Sequence, residues 1–288
     1  MNMNKMKKRL LSITVLLSLA LLIVSCGGGA GSGKEKVTIL YPNWAEGVAF
    51  THLAKVALED KDYEVELINL EPGLIYGELS KSNSKGDVFL DAWLPHTHVD
   101  YWNDYGDRLE ILGEAFSEGT TGLVVPSYVP INSIEELNAN ADNFGNEIIG
   151  IGSGAGIHAS TLKAIDEYDL DYEQISSSGP AMVASLDRAV KNEDWIVITG
   201  WKPHYKWMNF DIKYLDDPKG VYPMDVCAIV SRKGFEEDMP EAAGFFKKFN
   251  LTEDQLYDLM ATIDSEGEES GALQWYSDNK DIVDAWFE

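Results

Sequence analysis

From Val37 onward the hydrophobic positions alternate between two periods. Val37-Thr-Ile-Leu-Tyr41 is a short β-rich run, and Tyr63–Leu70 sets Val65, Leu67 and Asn69 against Glu64, Glu66, Ile68 and Leu70, the period of a strand. Between them Val48, Leu53, Val56 and Leu58 are spaced for a helix over Glu46–Leu58. Leu74–Ser82 predicts a second helix and Asp87–Trp93 a buried strand. This βαβαβ order implies a parallel sheet with right-handed crossovers. After an extended segment at Thr120–Pro130 the same grammar restarts. Ser133 and Glu136 have capping-box spacing and predict a helix. There follow a strand (Glu147–Ile151), a glycine turn (Gly152–Gly156), helices at Ile157–Asp169 and Met182–Lys191, and a strand at Trp195–Gly200. A second extended segment, Asp225–Arg232, leads into three acidic helical stretches that run to Glu288. The simplest architecture is two α/β lobes joined by two extended crossings, with residues 37–120 and 226–288 in lobe 1 and residues 121–225 in lobe 2.

The first 25 residues follow a different pattern. Lys5, Lys7, Lys8 and Arg9 precede an apolar run from Leu10 to Val24, which meets Ser25-Cys26. That is the layout of a secretion signal. At ~1.5 Å per residue the run spans roughly 22 Å, short of a ~30 Å bilayer core. Ile23-Val24-Ser25-Cys26 resembles the lipobox of bacterial lipoproteins, in which the cysteine is lipidated and becomes the new N-terminus. Residues 26–36, opening Gly27-Gly-Gly-Ala-Gly-Ser-Gly33, then read as a flexible tether. The expectation is a globular body lipid-anchored at Cys26 on the outer side of a bacterial cytoplasmic membrane.

Charge narrows the classes of partner. The 288 residues hold 23 Lys plus Arg against 48 Asp plus Glu, a formal charge of −25, and the chain without its basic leader stands at −29. Nucleic acid is excluded as a partner, since phosphate binding needs basic residues gathered on one face. Hydrophobic residues at 45% supply a core and exclude disorder. Two cysteines make neither a disulfide scaffold nor a tetrathiolate zinc site; Cys227, inside the apolar run Val226–Val230, reads as a buried structural thiol.

Aromatic residues carry the candidate chemistry. Three predicted strands end at tryptophan: Tyr41-Pro-Asn-Trp44, Asp91-Ala-Trp93 and Thr199-Gly-Trp201. Ligands of open α/β sheets sit beyond the carboxyl ends of strands. A single Trp there is usually packing; three, divided between two facing lobes, converge in the cleft. A quaternary ammonium offers no hydrogen bonds, and an indole face attracts its diffuse charge by roughly 0.5–2 kcal/mol. Acidic side chains are not expected to hold such a cation. The turn Gly152-Ser-Gly-Ala-Gly156-Ile157-His158 opens a helix and presents free N–H groups to an anion. Beside a cation box it suggests a zwitterion bearing a carboxylate, with His98 as a lone donor to that carboxylate. The competing reading of His96-Thr-His98 is a zinc site, weakened by the lack of further ligands at a recognisable spacing. No nucleophile–base constellation marks an enzyme, and no metal or cofactor is called for.

Taken together, Trp44, Ala92-Trp93-Leu-Pro-His-Thr-His98, Gly154-Ala-Gly156-Ile157 and Thr199-Gly-Trp201-Lys-Pro-His204 resemble the glycine-betaine-type substrate-binding proteins of ABC importers, over roughly residues 37–288. The resemblance implies a two-lobed α/β periplasmic-binding-protein fold with two crossover segments and a ligand cleft between the lobes. It implies a small quaternary ammonium ligand, with glycine betaine first and choline, carnitine or proline betaine as rivals, and an ABC permease as partner. Its three-Trp prism falls on Trp44, Trp93 and Trp201; its carboxylate donors fall on the Gly156 and Ile157 amides and on His98. His158 departs from the pattern, where an uncharged residue is expected. With His204 and Tyr205 it is a candidate for lining the cleft, and Trp207 for the cleft mouth.

Overall fold

The computed structural model describes residues 34–288. The leader at residues 1–25, Cys26 and the glycine stretch 27–33 lie outside the described residues. The first half of the sheet follows the predicted order. Strand β1 (Lys36–Tyr41), helix α1 (Ala45–Asp60), β2 (Glu64–Asn69), α2 (Pro72–Leu79) and β3 (Val88–Leu94) form two βαβ units. β1 lies between β2 and β3 and is parallel to both. Alternation along β1 sends Val37 and Ile39 to Phe50, Leu53 and Ala54 of α1, and Leu40 to Ile75, Tyr76 and Leu79 of α2 on the other face.

β3 breaks that alternation. Val88 and Leu90 face α1, and Phe89 faces α2, but two residues further on it is Ala92 that faces α2 and Trp93 that faces α1. The cause is a bulge: Phe89 pairs with Val230 and Ala92 with Ala228, so β3 holds one residue more than its partner across the same span. The extra residue turns Trp93 onto the α1 face.

Helix α3 (Val99–Tyr105) leads to β4 (Leu109–Pro126), an 18-residue strand that starts well before the predicted extended segment. Its first half pairs antiparallel with β9 (Asp225–Arg232) and its second half with β7 (Ile198–Lys202). Three register shifts against β9 interrupt the period of two, which is why Glu110, Glu114 and Glu118 hide the strand in the sequence. The second half adds β5 (Glu147–Ile149), α4 (Gly156–Glu167), β6 (Glu173–Ile175), α5 (Gly179–Asn192), α6 (Lys206–Asn209) and β8 (Ile212–Tyr214). The strand order is β2-β1-β3-β9-β4-β7-β5-β6, with β8 paired to the end of β4. The sheet is thus mixed: parallel within each half, antiparallel where β4 and β9 run through the middle.

Two expectations are corrected. The capping box forms, with Glu136 Oε1 accepting from the Ser133 N–H at 3.0 Å, but it opens 3₁₀ turns at Ile134–Glu136 and Asn138–Phe144 instead of an α-helix. Asn138, Asn140 and Asp142 compete for backbone hydrogen bonds and favour turns. The C-terminal region holds five helices where three stretches were expected: α7 (Phe235–Asp238), α8 (Pro240–Lys248), α9 (Glu253–Glu266), α10 (Glu268–Asp278) and α11 (Lys280–Asp284). Pro240 and Gly267 divide what composition reads as continuous. α9 and α10 pack on α1, and Trp275, Tyr276 and Trp286 join the core around Phe245 and Phe249.

Candidate functional site

Trp44 is the residue before α1, and its carbonyl accepts from the Val48 N–H at 2.8 Å. Trp93 pairs with Cys227 across the β3–β9 ladder, and its indole N–H donates to Asp91 Oδ1 at 2.9 Å. Trp201 pairs with Thr121 across β4–β7, and its carbonyl accepts from the indole N–H of Trp207 at 2.8 Å. The three indoles come from three different segments and line one cavity of about 250 Å³. Trp44 and Trp201 lie 6.5 Å apart between ring centroids, at 57°. Trp93 and Trp201 are buried and Trp44 is half-buried.

The other wall is built from the turn after β3 and the start of α4. Asp225, at the first residue of β9, accepts from His96 N at 2.6 Å, Thr97 N at 2.9 Å and Thr97 Oγ1 at 2.5 Å, which fixes the turn that carries His98. His98 is 1% exposed. Its Nδ1 accepts from the Trp93 backbone N–H at 3.1 Å, so the neutral ring carries its proton on Nε2. Among the described residues, Nε2 is buried without a protein partner. Burial pushes the imidazole down to about 3, so it is an uncharged donor throughout the physiological range. Gly156 and Ile157 are the first two residues of α4, where N–H groups have no intrahelical acceptor. Only glycine fits at 156: a Cβ there would lie 2.1 Å from the Thr97 carbonyl oxygen. Tyr101 ties α3 to the glycine turn, donating to the Gly154 carbonyl at 2.8 Å.

The cavity therefore brings together Trp44, Trp93, Trp201, His98, Gly156 and Ile157, along with Glu46, Thr97, Thr121 and Ile151, which sequence reasoning missed. Glu46 had one signal, its place two residues after Trp44; Thr97 had its place between two histidines. His204 and Tyr205 line a neighbouring cavity of about 610 Å³ that shares Trp44 and Trp201 as its inner wall. His204 stands edge-on to Trp201 at 4.8 Å, and its Nδ1 accepts from the Lys206 N–H at 3.0 Å. His158 lines neither cavity; it is half-buried, 3.5 Å from Ser176 Oγ. Trp207 packs against Tyr214, with ring centroids 4.6 Å apart and tilted by 40°, and lines neither cavity. His96 is exposed, and among the described residues no group of three or more His, Cys, Asp or Glu side chains is placed to hold a metal ion.

The residues around the indoles are charged as well as aromatic. Glu46, Asp91 and Lys206 are all buried. Lys206 Nζ sits 3.8 Å from the Trp201 ring centroid and donates to the Trp201 carbonyl at 3.2 Å. Burial pushes the Lys206 ammonium well below its usual range, against the pull of Glu46. Burial likewise pushes the Glu46 carboxyl up to about 7 and the Asp91 carboxyl well above its ordinary value, each resisted by nearby donors.

Residues 35–278 match the family described as the substrate binding domain of the ABC-type glycine betaine transport system. The chain belongs to that family. It is a family of transport substrate-binding proteins that work outside the cytoplasm, and not of enzymes. The glycine betaine/carnitine transport binding protein of Listeria monocytogenes is 39% identical over 145 residues, which span 48% of this chain and 48% of that protein. Two crystal structures superpose over 88% of the chain at 34% identity. The glycine/betaine/L-proline-binding protein of Borrelia burgdorferi does so over 97% of its own length with a TM-score of 0.85. The lactococcal glycine betaine-binding protein, in its closed-liganded conformation with glycine betaine, does so over 100% of its length with a TM-score of 0.84. The family fold is the two-lobed α/β periplasmic-binding-protein fold anticipated from the residues. No helix among the described residues is long and apolar enough to cross a membrane.

Proposed function

We propose that this protein captures glycine betaine outside the cytoplasmic membrane and delivers it to an ABC permease. The observation that carries the reading is the single cavity that joins three indoles to the start of α4 and the Nε2 of His98. The trimethylammonium group is held against Trp44, Trp93 and Trp201, whose faces attract a cation that cannot form hydrogen bonds. The carboxylate rests on the Gly156 and Ile157 amides at the helix start and accepts from His98. Residues 37–120 with 226–288 and residues 121–225 act as the two lobes, and their closure excludes water and strengthens the cation–indole attraction. Residues 1–25 direct export, and Cys26 carries the lipid that retains the protein at the membrane, with residues 26–36 as its tether.

Choline is the second reading, favoured by one observation: Glu46 places a buried carboxyl on the same cavity, a counter-charge for a ligand that has no carboxylate of its own. Calorimetric titration with glycine betaine, choline, carnitine and proline betaine separates these readings. Tight binding of glycine betaine that weakens on Trp93→Ala is expected; unchanged affinity in that variant would sink the cage.

A further inference from the structure

Both carboxylate oxygens of Glu46 are buried in the wall of the cavity, and among the described residues neither accepts a hydrogen bond of full geometry. The indole N–H of Trp201, also buried, acts as a donor toward the Glu46 carboxyl and lowers its pKa against the larger effect of burial. A buried carboxyl left in this condition is stabilised either by a proton or by a positive charge brought to it. Lys206 is a basic group that acts on Glu46, but burial pushes its ammonium well below the usual range and its Nζ is committed to the Trp201 carbonyl and ring. The other titratable groups that face Glu46 are Asp91 of β3, Cys227 of β9 and Tyr257 of α9, none of them cationic, and His98 across the cavity is neutral. Asp91 approaches so closely that a Cβ on Gly47 would lie 2.7 Å from its Oδ2. Glu46 also raises the Asp91 carboxyl, and two buried carboxyls that repel one another do not both stay ionised.

We propose that Glu46 is the counter-ion of the bound ligand, holding a proton in the ligand-free site and giving it up to solvent when a quaternary ammonium enters the cage. The inference rests on reading the cavity as a cation cage. It also fixes the ligand's direction, since a carboxylate end cannot settle beside Glu46, and His98 with the start of α4 offers neutral donors to it. The step balances simply: the Glu46 O–H bond breaks, its proton passes to buffer, and the fixed positive charge of the ligand takes its place. The bound state then holds fewer protons than the free state, so affinity rises with pH while free Glu46 is protonated and levels off above its titration near pH 7.

Calorimetric titration of the full chain with glycine betaine and with choline, each in a buffer of small and one of large ionisation enthalpy, tests this directly. At pH 6 release of between half and one proton per ligand is expected for both ligands. At pH 8.5 release falls to near zero. Affinity should climb by up to about tenfold per pH unit below pH 7, and Glu46→Gln should abolish both the release and the climb. The wild-type pH profile alone tests the idea should that variant fold poorly. Ligand binding with no proton release and a flat profile from pH 5.5 to 8.5 overturns this inference and leaves the cage standing. Release that survives Glu46→Gln, or that vanishes instead with Asp91→Asn, also overturns it. Failure of every quaternary ammonium to bind overturns the cage, and the inference with it.

Discussion

Trp93 is held by the Asp91 carboxyl, which accepts from its indole N–H, and its side chain lines the cavity. Removing that side chain by Trp93→Ala should weaken glycine betaine at least about tenfold, since a desolvated cation–indole contact reaches about 2 kcal/mol; calorimetry reads it directly. His98 has the opposite chemistry. As a neutral donor it serves the ligand's carboxylate and not its cation, and a hydrogen bond to a charged group is worth about 1.5–3 kcal/mol. His98→Leu should therefore weaken glycine betaine by roughly 10- to 100-fold and change choline little, measured in the same titrations. Glu46 has a stability signature of its own. A carboxyl raised from 4.5 to about 7 in the folded state favours folding fully below pH 4.5 and loses that contribution as pH rises through 7. Ligand-free Glu46→Gln should consequently melt several degrees above wild type at pH 8 and close to it at pH 4, by scanning calorimetry.

At the scale of elements, the site depends on how α4 and the turn after β3 meet. Gly156→Ala forces the start of α4 away from the Thr97 carbonyl, because no side-chain adjustment relieves a contact with backbone. Glycine betaine affinity should fall more than tenfold while circular dichroism stays unchanged. Asp225→Asn leaves a single acceptor oxygen where two now serve three donors, a loss of about 1–3 kcal/mol. A lower melting temperature should follow, since the turn carrying His98 is no longer pinned. The elements most legible in the sequence were those with an unbroken period: β1, α1, β2 and α5 lie within a few residues of their predicted bounds. β4 was half hidden because register shifts break its alternation, and β6, α6 and β8 span only three or four residues, too short to show a period.

For the whole molecule, the charge of −25 acts at a distance even where it makes no contact. A net cation is steered toward such a body and a zwitterion is not, and salt screens the difference over a Debye length of about 8–10 Å. Raising sodium chloride from 20 to 500 mM should slow choline association several-fold and leave glycine betaine nearly unchanged, in stopped-flow tryptophan fluorescence. What the sequence alone determined is the chemistry available: indoles at Trp44, Trp93 and Trp201, a glycine turn opening a helix, and a histidine after a Trp-Leu-Pro run. These follow from local spacing, because a strand end or a helix start is marked by residues near it in the chain. What only the tertiary structure decided is which side of the sheet each group faces and what lies behind it. A one-residue bulge, invisible in the alternation, puts Trp93 on the α1 face. Pairing between segments distant in the chain sets Glu46, Asp91 and Lys206 near the indoles, and burial pushes the carboxyl of the first up to about 7. Our inference replaces, at Glu46, the expectation that acidic side chains do not hold the cation. Burial depends on every neighbour at once, and no local pattern encodes it.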